Sequence, residues 1–150
     1  MSDCNTRIIA PSVLASDWAI LKSEIERANQ AGADWVHLDV MDGIFVENIS
    51  FGPQFVRAVR PHTELTLDVH LMITHPDRYI SQFVKAGSDR ITVHVEAEHD
   101  IAATLRAIRD FGKQCGLALN PATPFDAVVP YLDQIDLLLV ISYAIKKQYL

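Results

Sequence analysis

The sequence predicts an α/β fold built on a parallel sheet. Six short runs rich in aliphatic and β-branched residues occur at Ile8–Ala10, Trp35–Val40, Leu65–Leu71, Arg90–Val95, Cys115–Leu119 and Leu137–Ile141. Five segments with helical spacing separate them, and this strict alternation is the mark of βαβ units. Runs such as Leu137–Ile141 also lack the polar alternation of a half-exposed strand, as expected of strands covered on both faces.

The helical segments have individual signatures. Trp18, Leu21, Ile25 and Ala28 lie on one side of a helix that Asp17 can cap. Pro53 can start a second helix, with Val56 and Val59 facing inward. Pro76 suits the first turn of a third, ahead of Ile80, Phe83 and Val84. Ile101, Leu105, Ile108 and Phe111 make the clearest stripe, and Pro124 precedes a fifth helix carrying Val128, Val129 and Leu132. Ala31-Gly-Ala-Asp34 and Ala86-Gly-Ser-Asp89 form a weak repeat in which each glycine ends a helix in the left-handed conformation. The repeat aligns Asp39 with His94, each the seventh residue after its glycine.

Two architectures accommodate this alternation. A chain of 150 residues suits an open doubly wound sheet, whereas a (β/α)8 barrel typically needs about 250. The repeated helix-end-to-strand unit favours the barrel. One domain is expected, from a polar leader at residues 1–7 to a divergent tail at 142–150.

Composition narrows the function. The chain is 49% hydrophobic and 21% charged, so a folded core is expected. Nineteen acidic residues against thirteen Lys and Arg give a net charge of −6, and no basic block offers a nucleic-acid surface. A small anionic ligand stays open, because backbone N–H groups can hold a phosphate. No membrane-length apolar run and no signal-peptide pattern is present. Cys4 and Cys115 make neither a disulfide framework nor a zinc ribbon, which suits a reducing cytoplasm.

The chemistry concentrates on two strands. Side chains alternate along a strand, so His37, Asp39 and Met41 share a face, as do Asp68, His70 and Met72. Neighbouring parallel strands lie about 4.8 Å apart, so His37, Asp39 and His70 converge near the C-terminal edge of the sheet. Two imidazoles and a carboxylate suit a divalent transition metal. Alone, a strand histidine is more often hydrogen-bonded structure than a ligand, Asp42-Gly43 reads as turn chemistry and the methionines as core filler. Two polar sets on successive buried strands are costly unless paired or metal-bound, which favours the metal site. His94 and Glu96 either line the same mouth or sit solvated at a strand end. His62, His75 and His99 read as exposed. Ser12 follows the first strand, where its hydroxyl meets a ligand or the turn. Asn120–Pro124 is a rigid loop able to wall a pocket. No nucleotide-binding glycine loop or serine-hydrolase elbow occurs.

Five strings occur in order along residues 7–141: Ala10-Pro-Ser-Val-Leu-Ala-Ser-Asp17, His37-Leu-Asp-Val-Met-Asp-Gly43, Asn48-Ile-Ser-Phe-Gly-Pro53, Asp68-Val-His-Leu-Met72 and Leu119-Asn-Pro-Ala-Thr-Pro124. Together they resemble the ribulose-phosphate 3-epimerase family. The resemblance implies a TIM-type (β/α)8 barrel, here incomplete with about six strands and five helices. It implies interconversion of ribulose 5-phosphate and xylulose 5-phosphate by metal-assisted proton transfer at C3. Carried onto the matching positions, it makes His37, Asp39 and His70 metal ligands and Asp39 a catalytic acid/base. Ser12 and His70 would touch substrate, with Met41 and Met72 packed beside it. The implied cofactor is a divalent ion, zinc foremost, with iron, manganese or cobalt as alternatives. The implied partner is a small sugar phosphate, a hexulose 6-phosphate being the nearest variant.

After Ile141 the motifs stop. The family's glycine-rich phosphate segment and its seventh strand, with a second catalytic aspartate and a fourth metal ligand, have no counterpart in Ser142–Leu150, and Lys146 and Lys147 are too generic to replace them. Two expectations therefore compete. One is a cytoplasmic, metal-dependent epimerase; the other is an inactive fragment or isoform that associates with full-length subunits. Either is expected to self-associate or to dock on a complete subunit, because an unclosed barrel leaves strand edges open.

Overall fold

A computed structural model describes residues 7–142. Cys4, Lys146 and Lys147 lie outside the described residues. Five parallel strands form one sheet: β1 (Trp35–Met41), β2 (Thr66–Met72), β3 (Arg90–His94), β4 (Gln114–Leu119) and β5 (Leu137–Val140). Four α-helices lie between them: α1 (Leu21–Gln30), α2 (Pro53–Val59), α3 (Ile80–Ala86) and α4 (Ile101–Asp110).

The strand order is β1-β2-β3-β4-β5, with no reversal. A doubly wound sheet would change winding direction at a switch point. Here every crossover steps the same way, and such crossovers are right-handed, so the helices fall on one face. Successive helices pack on one another accordingly, α1 on α2, α2 on α3 and α3 on α4. This is the winding of a barrel, and the sheet is not closed.

Two helices begin later than expected, since Asp17 caps the 3-10 turn Trp18–Ile20 ahead of α1 and Pro76 opens the 3-10 turn Pro76–Arg78 ahead of α3, and two other expected elements differ in kind. Ile8–Ala10 forms no named strand. Its backbone runs beside β1, with the Asp34 and His37 amides donating to Ile9 and Pro11 carbonyls, and Ser12 bridges to His37. Ile8 and Ile9 remain exposed, so these bonds have no second strand to extend them. The fifth helix is replaced by two 3-10 segments, Phe125–Ala127 and Val129–Gln134. Pro130 lacks the amide that an α-helical continuation would use, and Pro124 sets the entry conformation.

The outward face of each strand supplies the core. Val36, Leu38, Leu67, Val69, Leu71, Ile91, Val93 and Leu117 are fully buried against Ile25, Val56, Val59, Phe83 and Ile108 from the helices. The other face carries polar rows. Register aligns His37 with Asp68 and Arg90, and Asp39 with His70 and Thr92. At Gly116, beside Thr92, an added Cβ would collide with the threonine side chain.

The glycine repeat is real and has a further member that lacks glycine. Gly32 and Gly87 both adopt positive φ, +79° and +109°. The aspartate two residues on then clamps the preceding segment by both backbone and side chain. Asp34 bonds Ile9 in this way, Asp89 bonds Leu67 and Asp136 bonds Cys115. Asp89 also accepts from Arg60 at 2.7 Å.

The clamps should differ in worth. Asp89→Ala strands the amide of fully buried Leu67 and should cost about 1–3 kcal/mol in denaturant unfolding. Asp34→Ala leaves the Ile9 amide beside a residue that is 64% exposed, where water can replace it, and should cost under about 0.5 kcal/mol.

Candidate active site

The C-terminal ends of β1 and β2 bring His37, Asp39 and His70 together, as the strand pattern predicts. Their ligand atoms all lie within 4.8 Å of one another. Asp39 Oδ1 is the focus, 3.1 Å from His37 Nε2 and 2.9 Å from His70 Nδ1. The second oxygen, Oδ2, accepts the Ser12 hydroxyl at 2.6 Å. Ser12 also caps the 3-10 turn Val13–Ala15, which fixes its reach over the strand end.

The outer nitrogen of each imidazole is also held. His37 Nδ1 donates to Asp68 Oδ2 at 2.8 Å, and His70 Nε2 lies 2.8 Å from His94 Nε2. Asp68 is the residue that reading by motif undervalued. Its position two residues before His70 was the available signal, and its Oδ1 is buried without a partner.

Electrostatics divide the two imidazoles. Burial works against charge on His37, but Asp39 and then Asp68 reverse this and raise its pKa to about 10. Burial lowers the pKa of His70 to about 4, with Asp39 opposing and the His94 ring adding to the drop. The difference follows from His70 being wholly enclosed and facing one carboxylate, while His37 bridges two. Burial would raise the Asp39 carboxyl, yet the two imidazoles hold it well below the usual range, so Asp39 is ionised at neutral pH.

Loops after the strands are pinned by the same chemistry. Asp42, set aside by sequence as turn chemistry, does shape the turn through the Ile44 and Phe45 amides. It also reaches the next loop, accepting both the amide and the hydroxyl of Thr74. Met41 and Met72 are register partners at the strand ends, both half-buried. Glu96 sits just past β3 and accepts from the Asn120 amide and the Thr123 hydroxyl, so the Asn120–Pro124 loop does border the cluster. His94 is buried and faces His70 rather than solvent. His99, expected to be exposed, is half-buried and lies 3.0 Å from the His94 carbonyl. His75 lies with Glu98, away from the cluster.

A consecutively wound parallel sheet with its polar cluster at the C-terminal strand ends defines the (β/α)-barrel class. A solved structure of tryptophan synthase subunit alpha from Legionella pneumophila superposes with a TM-score of 0.64. It covers 93% of this chain and 63% of its own length at 15% identity, a likeness of fold alone. A sequence profile described as the ribulose-phosphate 3 epimerase family matches residues 8–147, continuing past Ile141 where the motifs ended. Ribulose-phosphate 3-epimerase of Synechocystis is 50% identical over 90% of this chain, and that of Bacillus subtilis is 48% identical over 89%. A chloroplastic ribulose-5-phosphate-3-epimerase of Arabidopsis thaliana is 44% identical over 90%. The chain belongs to the ribulose-phosphate 3-epimerase family. It spans 60%, 62% and 49% of the length of these three relatives.

Asp42 gives the site an acid limit. Burial would raise its pKa, but the Thr74, Phe45 and Ile44 donors lower it from 3.8 to about 2. A depressed carboxylate contributes stability above its unfolded pKa and loses it as pH falls through the folded one. The stability gap between wild type and Asp42→Asn should therefore be full above pH 3.8 and close towards pH 2, as read by thermal melts across that range.

Proposed function

We propose that this chain carries the metal-holding half of a sugar-phosphate 3-epimerase site acting on ribulose 5-phosphate and xylulose 5-phosphate. The observation that supports it is the convergence of His37 Nε2, His70 Nδ1 and Asp39 Oδ1, with both outer imidazole nitrogens already engaged. Two imidazole nitrogens and a carboxylate fit a divalent transition ion, zinc foremost, and engaged outer nitrogens are the usual support of such ligands. His37, Asp39 and His70 would hold the ion. A bound ion there supplies Lewis-acid stabilisation of the oxygen charge that develops when C3 loses its proton.

The protein's own groups do the rest. Asp39 is ionised, and its Oδ2 carries only the Ser12 hydroxyl, so that oxygen takes the C3 proton when Ser12 turns to substrate. Met41 and Met72 cover the reacting carbons with an apolar, polarizable surface. A second acid on the opposite face is needed to complete inversion. The free thiol of buried Cys115 supports a reducing compartment such as the cytoplasm. The β5 edge, which no strand covers among the described residues and where Val140 is 64% exposed, supports association with another copy or a longer subunit.

Titration with Zn²⁺ or Co²⁺ tests the site. His70→Ala should weaken binding at least about tenfold, and an unchanged isotherm counts against the metal reading. Uptake must displace the His37 proton, so affinity should climb about tenfold per unit between roughly pH 6 and 8.

Deuterium wash-in at C3 tests the proton step. With ribulose 5-phosphate and added metal, solvent deuterium should enter at C3. Asp39→Asn should lower exchange by about 100-fold or more, read by NMR of the recovered sugar. Unchanged exchange in Asp39→Asn would overturn the role of Asp39 in the proton step.

A further inference from the structure

We propose that Glu96 is a positioning residue for His70, setting through His94 which nitrogen of His70 presents a lone pair to the metal cluster. This rests on the reading that His37, Asp39 and His70 hold a divalent ion.

The connection is continuous. His70 Nε2 and His94 Nε2 are 2.8 Å apart, with ring centroids at 4.9 Å, so the rings meet nearly end to end. His94 Nδ1 lies 3.0 Å from Glu96 Oε2. Glu96 Oε1 accepts from the Asn120 amide at 2.7 Å and from the Thr123 hydroxyl at 2.5 Å. Both rings are buried, and Phe45 packs over His94 at 4.8 Å between centroids, which keeps water from replacing either neighbour.

Proton placement follows from what each group can donate. An ionised carboxylate only accepts, so His94 Nδ1 carries hydrogen. In the neutral ring His94 Nε2 is then an acceptor, and His70 Nε2 must donate to it. With an ion held, His70 Nδ1 gives up the hydrogen that Asp39 Oδ1 accepts in the ion-free cluster and presents its lone pair instead, as a ligand nitrogen requires. His37 reaches a carboxylate in one step, its Nδ1 bonded directly to Asp68. The two imidazoles thus each end on a carboxylate, one directly and one through a second histidine.

Glu96→Gln inverts this order while preserving size. The Asn120 amide and Thr123 hydroxyl both donate, so the glutamine carbonyl stays with them and its NH2 group turns to His94. His94 Nδ1 must then accept, its Nε2 must donate, and the hydrogen of His70 moves to Nδ1. Thr123→Val removes one support of Glu96 and leaves its charge, so it should weaken binding less.

Calorimetric Zn²⁺ titration of the 150-residue chain, with ¹⁵N NMR of the imidazoles in the Zn²⁺-loaded protein, tests this. Glu96→Gln should lose about 10–100-fold in affinity while still melting in one cooperative transition, and wild-type His94 should show the Nδ1–H tautomer. Weak binding by His70→Ala together with wild-type binding by Glu96→Gln overturns the role of Glu96 alone. Equal binding by His70→Ala and wild type overturns the metal reading beneath it. Should Glu96→Gln fail to fold, the wild-type spectrum decides, and an Nε2–H tautomer at His94 overturns the proposal.

Discussion

A parallel sheet wound in one direction can cover only one of its faces with its own helices. That constraint organises this protein. The covered face takes the aliphatic side chains of β1 to β4, and the other takes whatever alternates with them. In β1 and β2 the alternating residues are His37, Asp39, Asp68 and His70, aligned in register rows that place each imidazole beside a carboxylate. Polar groups so enclosed are costly without partners, so the imidazoles and carboxylates of the rows condense into a connected cluster, with Asp68 Oδ1 left unpartnered at its margin.

The cluster ties together segments distant in sequence. Ser12 brings the first loop to Asp39, Asp42 joins the loops after β1 and β2 through Thr74, and Glu96 joins the turn after β3 to the loop after β4. Each link is a carboxylate meeting backbone amides or hydroxyls. Geometry at the strand ends is therefore set by charge-assisted hydrogen bonds between loops as much as by the sheet beneath. At the opposite ends of the strands the aspartate clamps of Asp34, Asp89 and Asp136 hold neighbouring segments in step. The clamps fix β1 to the segment before it, β2 to β3 and β4 to β5, while Asp42 and Thr74 join β1 to β2 at the site end.

Much of this was legible in the chain itself. Apolar periodicity located all five strands within a residue or two and four α-helices, two of which begin three or four residues later than their apparent start signals, because burial of one face is a local pattern. Side-chain alternation also placed His37, Asp39 and His70 at one edge, since adjacent parallel strands bring equivalent positions together by geometry alone. The segments that misled were those whose state depends on neighbours. Ile8–Ala10 has strand composition but bonds on one side only, and the residues after Pro124 have helical spacing but a second proline that favours 3-10 geometry.

What the sequence by itself determined was the alternating α/β pattern and the residues that could carry chemistry, from periodicity and spacing, and, through the resemblance carried by motif order, the family and the barrel it implies. Tertiary structure alone decided which nitrogen of each imidazole faces Asp39 and which faces outward. It also decided that His94 and Glu96 belong to the cluster, that Asp68 holds His37, and that the Asn120–Pro124 loop is anchored by Glu96. The physical reason is that these are hydrogen bonds of particular atoms between different strands and loops. Their directions depend on packing in three dimensions, which no pattern of residue types along the chain records.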